Sequence, residues 1–268
     1  LRPVMLTGGS EFLLRLPAAF FGVAAIPLIY VVGRRFFGEG VGLLAAFLLS
    51  LSPMHVWYSQ EARMYTLAAF LALLCMYFFL RVVGELSGAG PLTGRGIGWF
   101  AFGLSSALAY LTHYFTLFLP LAQLVFIICT FRRSYPLLRK WVLCQALAFA
   151  PLVPWLWAVY HREVLSFGIG WIPRPTPMDI VLTLWNFSLG YTGRTGPFTF
   201  IGLALFALAF LNGVRRAFSG PVGLLAVFWL ALPLALDFFI SLRLPLYVDR
   251  HFLIALPAYL ILVAGGAM

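Results

Sequence analysis

One short stretch gathers most of the side-chain types that chemistry needs: Ser52-Pro53-Met54-His55-Val56-Trp57-Tyr58-Ser59-Gln60-Glu61-Ala62-Arg63-Met64-Tyr65. Proline lacks an N–H and pushes the residue before it out of the helical conformation, so the preceding helix should end at Pro53 and a short interfacial helix should follow. At helical spacing Tyr58, Glu61 and Tyr65 share one face, a carboxylate flanked by two phenols that can hydrogen-bond a sugar. Residues two apart on a helix point away from each other, so Glu61 and Arg63 are expected to address different partners. His55 and Gln60 complete this set of candidate binding residues. The plainer reading of the same stretch is an aromatic belt with a Glu61–Arg63 charge pair at a membrane surface.

A second group is Arg243-Leu244-Pro245-Leu246-Tyr247-Val248-Asp249-Arg250-His251. Tyr247, Asp249, Arg250 and His251 are its candidate binding residues, because a guanidinium can hold phosphate through two parallel bonds; an anchor in lipid headgroups is the alternative. His113-Tyr114 forms a third group, although a lone histidine at a turn is more often structural. The segment from His161 to Arg194 holds Trp171, Pro173, Pro175, Pro177, Trp185, Asn186 and Tyr191. It reads as an outward loop or cap over residues 161–196, with a helical apolar period from Met178 to Leu189 that suits a membrane surface. Glu11 and Arg15, four apart, read as a structural pair, and Asp237 as a tolerated span end.

The elements that must position these groups are membrane helices. Of the 268 residues, 63% are hydrophobic and 10% charged, against roughly a quarter charged in soluble domains. Nine apolar stretches approach the ~20 residues that cross a bilayer: about 12–33, 39–53, 64–84, 97–113, 115–131, 138–158, 197–214, 221–241 and 251–268. The fold class is therefore all-α, a polytopic integral membrane bundle of about nine transmembrane helices with short outward interfacial helices. The apolar runs are continuous, whereas lipid-facing strands alternate.

Charge sets an orientation. With the first span running inward, the cytoplasmic side holds Arg34, Arg35, Arg81, Arg95, Arg132, Arg133, Arg139, Lys140, Arg215 and Arg216 against only Glu39 and Glu85. Such a bias in short loops favours this orientation. It places Glu11, Glu61, Glu163, Asp179, Asp237 and Asp249 outside. The net charge of +10 thus has a topological cause, and no nucleic-acid partner is implied. Cys75, Cys129 and Cys144 lie within spans without metal-ligand spacing and read as small core residues. No Walker loop, dinucleotide fingerprint, zinc histidine pair or nucleophile elbow is present. Transport would place ionisable or broken-helix features near the bilayer midplane, and the spans show none.

Three motifs together resemble the bacterial GT-C glycosyltransferases, and within them the family 39 group of protein O-mannosyltransferases and aminoarabinose transferases. They are Ser10-Glu11-Phe12-Leu13-Leu14-Arg15-Leu16-Pro17, Gly33-Arg34-Arg35-Phe36-Phe37-Gly38, and Ser52-Pro53 leading into Tyr58-Ser59-Gln60-Glu61-Ala62-Arg63-Met64-Tyr65. Tyr247 to Pro257 fits the same pattern. The resemblance implies a single membrane domain over 1–268, a polyprenyl-phosphate sugar donor, a protein or glycolipid acceptor, and inverting transfer at the extracytoplasmic face of a bacterial inner membrane. It implies Glu61 as a carboxylate that orients the sugar, assists the acceptor or shares a divalent ion. Arg63 or Arg250 would stabilise the leaving phosphate. The acidic residue expected in the family's first outward loop would lie upstream of Leu1, so the chain is expected to lack the first helix and that loop. A noncatalytic subunit of a larger membrane complex, or a transporter or lipid flippase, are the alternative readings.

Overall fold

The structure is a computed structural model and describes residues 10–86, 95–131, 135–161, 172–191 and 196–268. Arg132, Arg133, Glu163, Trp171 and Arg194, and the side chains of Glu85 and Arg95, lie outside the described residues. Every regular element among those described is a helix. In chain order they are α1 (Glu11–Phe37), α2 (Glu39–Leu51), α3 (Pro53–Ser59), α4 (Tyr65–Leu86), α5 (Arg95–Thr112), α6 (Phe118–Thr130), α7 (Tyr135–Phe149), α8 (Val153–His161), α9 (Pro177–Leu189), α10 (Pro197–Ala217), α11 (Pro221–Ser241) and α12 (Leu256–Ala267). Short 3-10 turns occupy Tyr114–Leu117, Ala150–Leu152 and Asp249–Ile254.

Local chemistry explains most boundaries. The Ser10 hydroxyl accepts from Leu13 N–H (3.3 Å) to open α1, and the Ser52 hydroxyl accepts from His55 N–H (3.3 Å) to open α3, with Pro53 at its first position. Proline there loses only a donor that a helix start leaves unused anyway. The bend between α2 and α3 is 58°. In α9 the Thr176 hydroxyl and Asp179 carboxylate cap reciprocally, a device that satisfies two orphan donors at once.

The centre of the bundle is α12, whose residues from Leu256 to Gly265 are all buried; a helix apolar on every side belongs inside. It packs against α1, α2, α10 and α11. Contact with α10 is backbone to backbone: a Cβ on Gly213 would collide with the Leu262 carbonyl, and one on Gly266 with the Ala209 carbonyl. Such close approach through small residues is how helices associate where lipid removes the hydrophobic drive between them.

Polar side chains inside the bundle bond one another. Gln123 on α6 accepts from Trp141 Nε1 (3.1 Å) and Gln145 Nε2 (3.1 Å) on α7, and Gln145 accepts from the Tyr110 hydroxyl (2.5 Å) on α5. The Gln123 amide donates to Cys75 Sγ (3.5 Å) on α4, which also bonds the Ser106 hydroxyl (3.3 Å).

The chain is a multi-pass membrane bundle, but the count of nine spans is corrected. Among the described residues five helical stretches are long and apolar enough to cross: Glu11–Phe37, Tyr65–Gly84, Tyr135–His161, Pro197–Ala217 and Pro221–Ser241. A sixth exists if the bent α2–α3 pair is one span. Gly96–Thr112, Tyr114–Thr130 and Leu256–Ala267 are apolar but shorter. Apolar run length over-counted them, because His113 breaks the helical hairpin and residues 249–254 form a 3-10 turn, leaving helices under the ~20 residues of a full span.

Candidate active site

Two ends of the bundle differ in chemistry. At one end Arg35 lies over Tyr77, Arg34 over Tyr30 and Arg216 over Phe37, and Arg216 donates to the Gly265 carbonyl (2.9 Å). At the other, the chain brings residues 57–65, 113–115, 183–191 and 247–251 together. This site end has two compartments.

The first is an open cleft of about 470 Å³ lined by Arg15, Trp57, Gln60, Glu61, Ala62 and Arg63. Helix α3 stops at Ser59 and α4 begins at Tyr65, so residues 60–64 form a turn. That break corrects one expectation that assumed helical spacing: Glu61 and Arg63 do not point apart, because Arg63 Nε lies 3.8 Å from Glu61 Oε2. Glu61 accepts from Trp57 Nε1 (3.0 Å) and stays within electrostatic reach of the Tyr58 phenol. Arg15 pairs with Glu11 at 2.5 Å, as read from spacing, yet both partners are exposed and Arg15 also lines the cleft. Its second role had no signal in the sequence, since α1 and the 60–64 turn meet only in three dimensions.

The second compartment is a layer of rings. Tyr58 and Tyr65 meet edge to face at 5.2 Å between centroids, Tyr65 lies 5.6 Å from His113 and 6.3 Å from His251, and the two imidazoles are 5.3 Å apart. Phe115 sits 4.4 Å from His251. The Tyr58 and Tyr191 hydroxyls bond at 2.8 Å. Gly190 makes that bond possible: its φ of +70° suits glycine, and a Cβ there would meet Pro53, so the end of α9 rests directly on the start of α3. Asp249 ties α9 to the last 3-10 turn, accepting from Asn186 Nδ2 (2.7 Å) and from the Arg250 N–H (2.7 Å). Tyr247 bonds the Thr183 hydroxyl at 2.9 Å. Thr183, Phe115 and the roles of Asn186 and Tyr191 were not singled out by spacing, because each partner is distant in sequence.

Electrostatics keeps the layer neutral. Burial, then the charge of Arg250, lowers the His113 pKa to about 4. Burial, then His113 and Arg250, lowers that of His251 to about 3. Burial pushes the Tyr247 phenol up to about 12 and raises that of Tyr191 too. Both phenols remain donors.

Two candidates sit elsewhere. His55 is buried against α1 with its Nε2 3.0 Å from the Gly22 carbonyl, and Tyr114 stacks on Trp155 at 4.9 Å, facing outward. Asp237, read as a tolerated span end, is 1% exposed and accepts from the Ser241 hydroxyl (3.2 Å) beneath this layer. Among the described residues no three of His, Cys, Asp and Glu gather as a metal site.

Fold and site together define a polytopic helical membrane protein with a polar, aromatic-lined site at one end. Residues 4–157, more than half of the chain, match the family described as dolichyl-phosphate-mannose-protein mannosyltransferase. The chain belongs to that family, in accord with the GT-C, family 39 motifs. Two crystal structures of ArnT from Cupriavidus metallidurans share the fold, one in the apo state (TM-score 0.71) and one bound to undecaprenyl phosphate (TM-score 0.70). Identity is 20% in each case, over 98% of this chain and 47% of ArnT, so the chain spans about half the length of those proteins. No curated protein matches it.

Proposed function

We propose that this chain forms the membrane part of a glycosyltransferase that moves a sugar from a polyprenyl-phosphate donor to a protein, lipid or glycan acceptor, at the outer face of a bacterial inner membrane. One observation carries the reading: a cleft holding two guanidiniums and a carboxylate adjoins a neutral layer of phenols and imidazoles. That is the pairing a sugar phosphate needs. Family membership and the undecaprenyl phosphate bound to ArnT support it. A polyprenyl tail gains roughly 0.8 kcal/mol per buried methylene, which holds the phosphate at the depth of these compartments.

The reaction breaks the bond between the anomeric carbon and the phosphate oxygen while an acceptor oxygen forms a bond on the opposite face, inverting the centre. The electron pair leaves with the phosphate oxygen, and the proton of the acceptor hydroxyl passes to water at the open cleft. Arg63 and Arg250 stabilise the departing phosphate, as preorganised cations do for developing charge. Glu61, held by Trp57 and Arg63, orients sugar or acceptor hydroxyls as an acceptor of hydrogen bonds. Gln60 and Tyr58 add amide and phenol contacts. A divalent ion shared by Glu61, or membership in a larger complex, is compatible with the same roles.

The test supplies the full-length protein, in lipid, with a panel of polyprenyl-phosphate sugars and measures release of polyprenyl phosphate. Glu61→Gln is expected to slow release about 100-fold without loss of folding. Absence of turnover with every donor, by folded wild type, would replace the proposal with a noncatalytic role.

A further inference from the structure

His113 and His251 each commit one ring nitrogen to the fold, in opposite senses. His113 begins the 3-10 turn after α5, and its Nδ1 accepts from the Phe115 N–H at 3.3 Å. A nitrogen that accepts carries no proton, so in the neutral ring the proton is on Nε2. His251 places its Nδ1 3.2 Å from the Leu246 carbonyl, which can only accept. Its proton is therefore on Nδ1, and Nε2 presents a bare lone pair. These tautomers follow from the bonding partners.

Leu246, whose carbonyl sets the second tautomer, is itself anchored. Its N–H donates to the Ser241 hydroxyl (3.1 Å), and that hydroxyl donates to the Asp237 carboxylate (3.2 Å). Neither Nε2 bonds a described residue, and neither is among the side-chain atoms sealed in the fold without a partner. Burial and Arg250 keep both rings uncharged at neutral pH.

We infer that His113 and His251 form a complementary pair, one Nε2–H donor and one Nε2 acceptor 5.3 Å apart between ring centroids, that grips a hydroxyl of the donor sugar. A hydroxyl donates and accepts at once and satisfies both nitrogens. A phosphate oxygen would meet one donor and one repelling lone pair. The ring layer thus selects the uncharged, hydroxylated end of the donor, with Tyr65 and Phe115 as flanking aromatic walls, and leaves the anion to the arginines. The inference rests on the glycosyltransferase reading above for the identity of the ligand.

Binding separates the two ideas. Full-length protein in lipid nanodiscs is titrated with bare undecaprenyl phosphate and with its mannosyl, glucosyl and galactosyl forms. Wild type should hold at least one sugar-bearing lipid about tenfold more tightly than the bare lipid. His113→Phe and His251→Phe should erase that margin while binding of bare undecaprenyl phosphate stays unchanged. Glutamine at either position, which keeps an amide donor or carbonyl acceptor, should restore most of it. Equal weakening of both lipids, or no weakening, would overturn the inference. Should the phenylalanine variants fail to fold, deoxy sugars on wild type decide: one missing hydroxyl should cost about tenfold, and a loss below about threefold at every position refutes the grip. Sugar-dependent binding without turnover would sink the transferase reading and leave this subsite standing.

Discussion

Two buried polar clusters in this molecule use similar side chains to opposite ends. Around Gln123, an amide, a second amide, an indole, a phenol, a thiol and a hydroxyl from four helices bond one another. Around His113 and His251, each imidazole spends one nitrogen on the backbone and leaves the other open. The first cluster carries no charge; Asp249 and Arg250 adjoin the second. Lipid offers no substitute partner for a polar group, so a saturated cluster is a packing device. The two nitrogens left open at the second cluster are the ones proposed above to hold a sugar hydroxyl.

The sharpest way to break this comparison is to exchange the consequences. Arg250→Met should slow release of polyprenyl phosphate about 100-fold, near 2.7 kcal/mol, with the melting temperature little changed. Next, Gln123→Leu should cost about 2 kcal/mol of stability, since it strands the Trp141 indole and the Gln145 amide, yet leave release within about threefold. Equal loss of activity from both variants would show that the clusters are not separable.

Acid should distinguish them more gently. Both histidines have folded pKa values below the ordinary 6.5, at about 4 and about 3. The unfolded chain therefore binds protons that the folded chain refuses, and their contribution is present above pH 6.5 and lost as pH falls toward 4 and then 3. The slope is at most about 1.4 kcal/mol per pH unit for each ring, read as melting temperature against pH. The His113→Gln, His251→Gln double variant should flatten it, while Gln123→Leu should shift the whole curve without changing its shape. The smallest effect is expected at the α3–α9 contact. Tyr58→Phe and Tyr191→Phe should each cost about 0.5 kcal/mol, and a double-mutant cycle should return one shared hydrogen bond; strictly additive losses would deny the coupling.

Much of the helical layout was legible in advance. Pro53 ended α2 and opened α3, and helix α9 spans Pro177–Leu189 where the apolar period began at Met178. Span counting failed where apolar residues continue through a turn, as at His113 and in residues 249–254, because hydropathy does not register the backbone. Helical spacing failed at Arg63 for the same reason: a turn over 60–64 brings its guanidinium back toward the Glu61 carboxylate. Arg15 was visible only as half of a local ion pair.

Composition and charge by themselves determined that this chain lives in lipid, that its basic residues concentrate between spans, and that its reactive side chains collect near helix ends, since a bilayer excludes what it cannot solvate. Only the tertiary structure decided which of those side chains meet. Tyr58 with Tyr191, His113 with His251, and Asn186 with Asp249 are joined across long separations in sequence, and nothing local encodes such contacts. They follow from how α12 and its neighbours pack, which sets the register of every helix end at once.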